Sequence, residues 1–318
     1  MDINKEILKT VKYFSFFAYH PTLTEIHTFL QVKISKNELK MELDRQIKYT
    51  PPQYSIGRKI STLNQNKYDS GLPRTDLRSG TGAKIRISKD KLNSPKFKLY
   101  IKLLSLFPQI KLVGLSGSIS MMNASEEDDI DLFIITAKNR LFTGRFIALV
   151  LAQILRLRRS RDSAKQFLSH ESLTSASRGP LESEKIAFAS SHQHKNKVCL
   201  NLFFDESNLK VPKFKQTEFV GHEVLQMKPI IIKSNIYERF LKANEWVFRL
   251  FPNATPPVIP VKTGIQSKIT LFIIISNKVE QTLKSFQLYF INKHKTTEII
   301  TSSQLWFHPD DFGKKIKF

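Results

Sequence analysis

Apolar residues recur at helical spacing through the first fifty positions. Ile7, Leu8, Val11, Phe14 and Phe17 share one face of a 3.6-residue repeat. Thr22 stands three residues before Glu25, and Ser35 three before Glu38, each pair ahead of a new apolar run. That is the capping-box signature of a helix start. The spacing predicts three helices over 4–48, the last two joined by a tight link in a helix-turn-helix pattern. The stretch PPQYSIGRKIS (51–61) reads as a β-wing. Residues 62–90 are polar and rich in Gly, Ser, Asn, Lys and Arg, and read as a linker. A helix is expected over 91–107 (Phe97, Tyr100, Ile101, Leu104). The period then drops to two, with short strands either side of a polar segment between Lys111 and Ala137.

Beyond that point, 142–157 is a strongly apolar helix, with 138–140 as the turn before it. Residues 160–196 are Ser-rich without periodicity and read as a disordered insertion. Lys197 to Asp205 (KVCLNLFFD) is the next strand, and 217–251 reads as two helices. A Pro-rich linker (254–268), a β-rich run (269–275) and a last helix (Val279, Leu283, Phe286, Phe290) follow. The tail is expected to anchor through Trp306, Phe307 and Phe312. The fold class is α/β of the α+β kind. The expected domains are 1–61 (helical, winged-helix-like), 62–90 (linker), 91–210 (core) and 211–318 (helical).

The chemistry concentrates in KLVGLSGSISMMNASEEDDIDLFIITA, residues 111–137. A strand leads into Ser116-Gly117-Ser118, and a second strand begins at Asp129-Ile130-Asp131. Side chains alternate along a strand, so Asp129 and Asp131 share a face. Two adjacent carboxylates repel each other and favour a cation between them. Mg²⁺ suits, since it takes one or two carboxylates together with phosphate oxygens and waters. Gly117 lets backbone approach a ligand closely. Ser118 and nearby amides can bond phosphate oxygens, and a helix starting there would add its positive end.

Gly117-Ser118 followed by Asp129-Ile130-Asp131 in a strand–helix–strand setting resembles the nucleotidyltransferase superfamily to which DNA polymerase β belongs. The chain also looks like bacterial proteins that join an N-terminal helix-turn-helix to a minimal nucleotidyltransferase core. The resemblance implies a nucleotidyltransferase-type mixed sheet with helices. It implies transfer of a nucleoside monophosphate from an NTP to an acceptor hydroxyl, with Mg²⁺ or Mn²⁺ on Asp129 and Asp131. Gly117 and Ser118 would grip the phosphates. Family members carry a third carboxylate on the strand that here is 197–205, and by alternation its place falls to Asn201, which cannot act as a base. Asp205 or Glu206 could substitute from the strand end. The alternatives are a nucleotide-sensing DNA-binding regulator without turnover, and a toxin–antitoxin component. The acceptor stays open among small molecule, RNA and protein.

Further candidates are basic. Arg140 and Arg145, just after the second strand, could neutralise triphosphate charge. Lys36, Asn37, Lys40 and Arg45 on the third helix could contact DNA. Glu223 or Asn244 could reach the acceptor site from the helical segment. His170, His192 and His194 have no supporting metal pattern, and His222-Glu223 lacks the second histidine of a zinc-protease signature.

Composition narrows the field. Lys plus Arg number 50 against 28 Asp plus Glu, a net charge of +22, which favours polyanionic partners. The one cysteine, Cys199, excludes a disulfide framework and a thiolate zinc site, as in a reducing cytoplasm. The start MDINKEILKT lacks a signal-peptide pattern. The longest apolar runs, Phe146 to Leu155 and Ile269 to Ile275, fall short of the roughly 20 residues a bilayer needs, so no membrane partner is expected.

Overall fold

The computed structural model describes residues 2–49, 80–158, 197–256, 277–295 and 297–307. The expected β-wing, the insertion at 160–196, the run at 269–275, most of the Pro-rich linker and Phe312 lie outside the described residues.

Three helices open the chain: α1 (Ile3–Phe16), α2 (Leu23–Phe29) and α3 (Lys36–Tyr49). Both expected capping boxes form. Glu25 N donates to Thr22 Oγ1 (3.2 Å) while Thr22 N donates to Glu25 (2.7 Å). Ser35 and Glu38 repeat the exchange at the start of α3. Reciprocal bonds of this kind satisfy two amides that a helix start leaves unpaired. Ile7, Val11, Ile26, Leu30, Leu39 and Leu43 make the small core of this unit.

The helix expected over 91–107 is two helices with a break. α4 (Gly80–Asn93) ends at Ser94, and α5 (Pro95–Leu106) restarts with proline in its first turn, where its missing N–H costs nothing. The expected linker therefore runs into a helix from residue 80. β1 (Ile110–Leu115), the single turn α6 (Gly117–Ser120), β2 (Ile130–Thr136), α7 (Leu141–Ile154) and β3 (Val198–Asp205) follow. Next come α8 (Glu218–Gln226), β4 (Lys228–Ile232), α9 (Ile236–Ala243), α10 (Trp246–Leu250), α11 (Asn277–His294), β5 (Ile299–Ile300) and β6 (Gln304–Trp306).

The strands form one mixed sheet in the order β4-β1-β2-β3-β6-β5. Of the described strands, only β2 and β3 pair in parallel, and α7 follows β2 in the chain between them. Alternation divides the sheet into two faces. Ile130, Leu132 and Ile134 pack against α5 and α7 through Tyr100, Leu104, Phe142 and Ala148. Phe133 and Ile135 pack on the other face, under Met227, Phe240 and Val247 from the helical segment. Asp131 is in phase with Phe133, so it opens on the second face.

β4 was not expected; the sequence reads 217–251 as helices. Its register on β1 places Ile231 opposite Val113 and Pro229 opposite Gly114, with an irregularity at that point. β4 is an edge of the sheet, and an edge is where a strand tolerates the N–H that proline lacks.

α11 forms as expected. Of its apolar residues Leu283 packs on the core, while Val279, Phe286 and Phe290 are exposed and Glu280 and Gln287 turn inward. Glu280 accepts the Phe142 and Thr143 amides (2.9 Å each) and caps the N-terminus of α7. Gln287 Nε2 donates to the Phe142 carbonyl (2.8 Å).

Candidate functional site

A cavity of about 830 Å³ opens on the second face of the sheet, at the start of β2. Ser116, Gly117 and Ser118 line it from the end of β1, Asp128, Asp129 and Asp131 from β2 and its approach, and Cys199 and Asn201 from β3. α8 contributes Phe219 and Glu223, and the end of α1 contributes Phe16 and Phe17.

The turn after β1 fits the carboxylates closely. Gly117 has φ +61°, and a Cβ there would stand 2.7 Å from Asp131 Oδ2. Backbone strain and collision both demand glycine. Gly117 N donates to Glu223 Oε2 (3.3 Å), so the amide expected to meet a ligand meets a carboxylate. Ser118 Oγ donates to Asp128 Oδ2 (3.0 Å), which also accepts the Ser125 amide (2.9 Å). Asp128 thus ties the Gly-Ser turn to the loop that delivers Asp129. α6 is four residues long, so the expected helix dipole contributes little.

Lys91 holds that loop from beneath. It is 3 % exposed, and its Nζ donates to the carbonyls of Glu126 (2.8 Å) and Asp128 (2.5 Å). Asn123 Nδ2 donates to the Phe17 carbonyl (2.9 Å), which fastens the end of α1 to the cavity wall.

Burial, then the Glu223 charge, and to a lesser degree Asp129 and Asp128, push the Asp131 carboxyl up to about 7; a hydrogen bond from the Cys199 thiol opposes them. Burial raises Glu223 too, with the Gly117 amide pulling the other way. Carboxylates that face one another in a low-dielectric wall hold protons they would release in water. A hard cation relieves the same repulsion, so the oxygen donors suit Mg²⁺ or Mn²⁺. Among the described residues, no group of three or more His, Cys, Asp or Glu side chains converges to hold an ion alone. Two carboxylates are the number Mg²⁺ takes when phosphates and waters fill the rest of its shell.

Asp129, Asp131, Gly117, Ser118 and Asn201 are thus brought together, and Glu223 joins them. A shift in the β2–β3 register between Asp131 and Phe133 turns both Asn201 and Leu202 toward the cavity. Asn201 Nδ2 lies 2.7 Å from Cys199 Sγ.

Arg140 and Arg145 are not brought there. They sit past the opposite end of β2. Arg140 bonds Asn277 (2.9 Å); Arg145 bonds Gln287 (2.7 Å) and lies over the Phe307 ring. Glu280 already fills the anion position at the α7 N-terminus beside them. Asp205 and Glu206 are at that far end too: Asp205 accepts the Arg140 amide and Glu206 the Lys138 amide. Asn244 is fully buried and structural, accepting Val211 N and donating to the Leu209 and Phe240 carbonyls. His170, His192 and His194 lie outside the described residues. The sequence reading missed Lys91, Phe16, Phe17 and the two lysines in the cavity wall, Lys84 and Lys215, none of which carries a local motif.

Among the described residues, no helix is long and apolar enough to cross a membrane. Comparison with protein-family models, curated proteins and solved structures gave no match.

Proposed function

We propose that the protein is a nucleotidyltransferase of the polymerase-β-like kind, moving a nucleoside monophosphate from an NTP to an acceptor hydroxyl. One observation carries this: the Gly117-Ser118 turn is packed against Asp131 at the mouth of a cavity into which Asp129 and Glu223 also face. On this reading, the mixed sheet is a nucleotidyltransferase core, preceded by a winged-helix-like unit.

Asp129 and Asp131 would hold Mg²⁺ or Mn²⁺, which supplies charge neutralisation to the phosphates. Ser118 would reach the β- and γ-phosphates by turning its hydroxyl away from Asp128, while the Gly117 amide stays on Glu223. Lys84 and Lys215 add positive charge at the cavity wall. The acceptor oxygen forms a bond to the α-phosphorus, the bond to the bridging oxygen breaks, and pyrophosphate leaves with the electron pair. The hydroxyl proton passes to water, since Asn201 cannot take it. Glu223 acts through Gly117, as a positioning residue.

A second reading keeps the nucleotide and drops the turnover, and Asn201 at the position of the third carboxylate favours it. The protein would then be a nucleotide-sensing regulator, contacting DNA through α3, where Lys36, Asn37, Lys40 and Arg45 are exposed.

The test incubates the protein with each of four α-labelled NTPs, Mg²⁺ or Mn²⁺, and a cell extract, total tRNA or the protein alone. Label transfer that disappears in Asp129→Ala/Asp131→Ala is expected. Metal-dependent NTP binding without transfer would establish the sensor. Absence of both would overturn the proposal.

A further inference from the structure

The cavity has a second end that phosphate chemistry does not use. Beyond Asn201 its wall is Leu202 and Phe204 on β3, Trp306 on β6, Ile299 on β5, Val211 and Phe240. These lie on the same sheet face as Asp131, displaced along the strands and across them. Asp131 is paired with Cys199, Phe133 with Leu202, and Leu202 with Trp306. At about 3.3 Å per residue, Leu202 is offset from Asp131 by roughly 7 Å along the strands, and it lies one strand across.

The order of the strands gives this end a direction. The Gly-Ser turn closes β1, the paired aspartates start β2, and the apolar wall stands on β3 and β6, in the order β1-β2-β3-β6. In-line displacement puts the attacking oxygen opposite the leaving pyrophosphate. With pyrophosphate on the β1 side, the acceptor enters from the β3 side, where the wall is aromatic and aliphatic. The volume of about 830 Å³ lies high in the range of roughly 300–1,000 Å³ for small-molecule pockets, which leaves room for a second compound beside a nucleotide.

Resting on the nucleotidyltransferase reading, we propose that the acceptor is a small molecule with a flat, largely apolar ring, seated against Leu202, Phe240 and Trp306, which points its hydroxyl at the paired aspartates. The 3′ end of an RNA is a poor fit, since its phosphates would lie along this apolar wall. The aromatic rings would stack on the acceptor ring, and the aliphatic residues would exclude water from the reacting oxygen.

The experiment uses 4-(trifluoromethyl)benzyl alcohol as probe and follows its ¹⁹F line width in the presence of the full-length protein. Saturable broadening is expected with the wild type. It should persist in Asp129→Ala/Asp131→Ala and with saturating Mg²⁺-ATP present. Ile299→Arg should weaken it at least tenfold. Thr297→Trp, at an exposed position on the rim, should weaken it several-fold without a fold defect, with thermal melting checking both variants. No broadening with the wild type, or broadening unchanged in both variants, overturns the proposal. Displacement by ATP also overturns it, because the ring site would then belong to the nucleobase. Broadening with the expected variant pattern, but no label transfer in any NTP assay, would count against the enzyme reading and leave the ring site standing.

Discussion

His222 and Glu223 are consecutive residues on α8, and they face two differently built regions. The His222 ring is fully buried between Tyr13 and Phe29, stacked at 3.6 Å and 4.1 Å, with Phe14 and Phe251 edge-on. Among the described residues, neither ring nitrogen has a hydrogen-bond partner. Burial first, and then the Lys9 charge, hold its pKa well below the ordinary histidine value. One side of α8 is therefore an aromatic box that keeps a titratable ring neutral and joins the N-terminal helices to the sheet unit. The other side is a cavity wall where carboxylates are crowded and keep access to solvent. Perturbed ionisation is common to both. What separates structure from candidate chemistry is whether the perturbed group opens on a cavity and faces groups of its own charge.

The largest expected difference between the two regions is in activity. Asp131→Asn should reduce label transfer about a thousandfold, the several kcal/mol that metal coordination supplies. It should also raise the unfolding free energy at pH 8, by roughly 1–2 kcal/mol, because a repelled charge is removed. Loss of transfer with loss of stability would place Asp131 in the fold rather than the chemistry.

The box should respond in the opposite sense. His222→Ala is expected to cost about 3 kcal/mol in chemical denaturation, through the cavity left between Tyr13 and Phe29. His222→Phe should retain most of the stability, since no hydrogen bond is lost. Transfer per folded molecule should stay near wild type in both variants.

The pH dependence of stability distinguishes the regions again. Folded His222 titrates below its unfolded value of 6.5, so the unfolded chain binds the extra proton and stability falls as pH drops below about 6.5. Folded Asp131 titrates near 7 against 3.8 unfolded, so the native state holds the extra proton and stability falls as pH rises from about 4 to 7. Each full proton is worth about 1.4 kcal/mol per pH unit. His222→Phe should flatten the acid-side loss, and Asp131→Asn the loss toward neutrality, in melts at 0.5-unit steps. Exchange of these two effects would reverse the assignment of the regions.

The smallest expected effect lies at the edge of the box. Asn253 Oδ1 accepts the Ile34 amide (3.0 Å), and its Nδ2 donates to the Val32 carbonyl (2.7 Å). Asn253→Ala should lower stability by about 1–2 kcal/mol through the two lost bonds. Transfer should be unaffected, which a combined melt and assay would check.

The helix starts and the paired aspartates were legible because they are local. A capping box or an Asp-Ile-Asp strand start is written within four residues, and each formed as read. β4 was not legible, because KPIII is a short apolar run with a proline, and only its place at the edge of β1 makes it a strand. Arg140 and Arg145 were close to the motif in sequence and far from it in space, since the length of β2 separates them from Asp131. Glu223, expected to reach the site from the helical segment, and Lys91, which was not expected there, come from distant elements, 106 residues after Gly117 and 37 before Asp128. Glu280 on α11 turns inward with Leu283 and caps the N-terminus of α7, a partner that the spacing within α11 does not record.

The clasp between Asn253 and the α2–α3 turn has a consequence for synthesis. Its two bonds join residues 219 and 221 positions apart. At about 5–20 residues per second, a ribosome needs on the order of 10–45 seconds to make the chain between them. For that interval the first three helices exist without His222 or Phe251, and Tyr13, Phe14 and Phe29 have nothing to close over them. Of the described helices, the first three to be made are therefore among the last to be finished, and until then they present a cluster of aromatic rings.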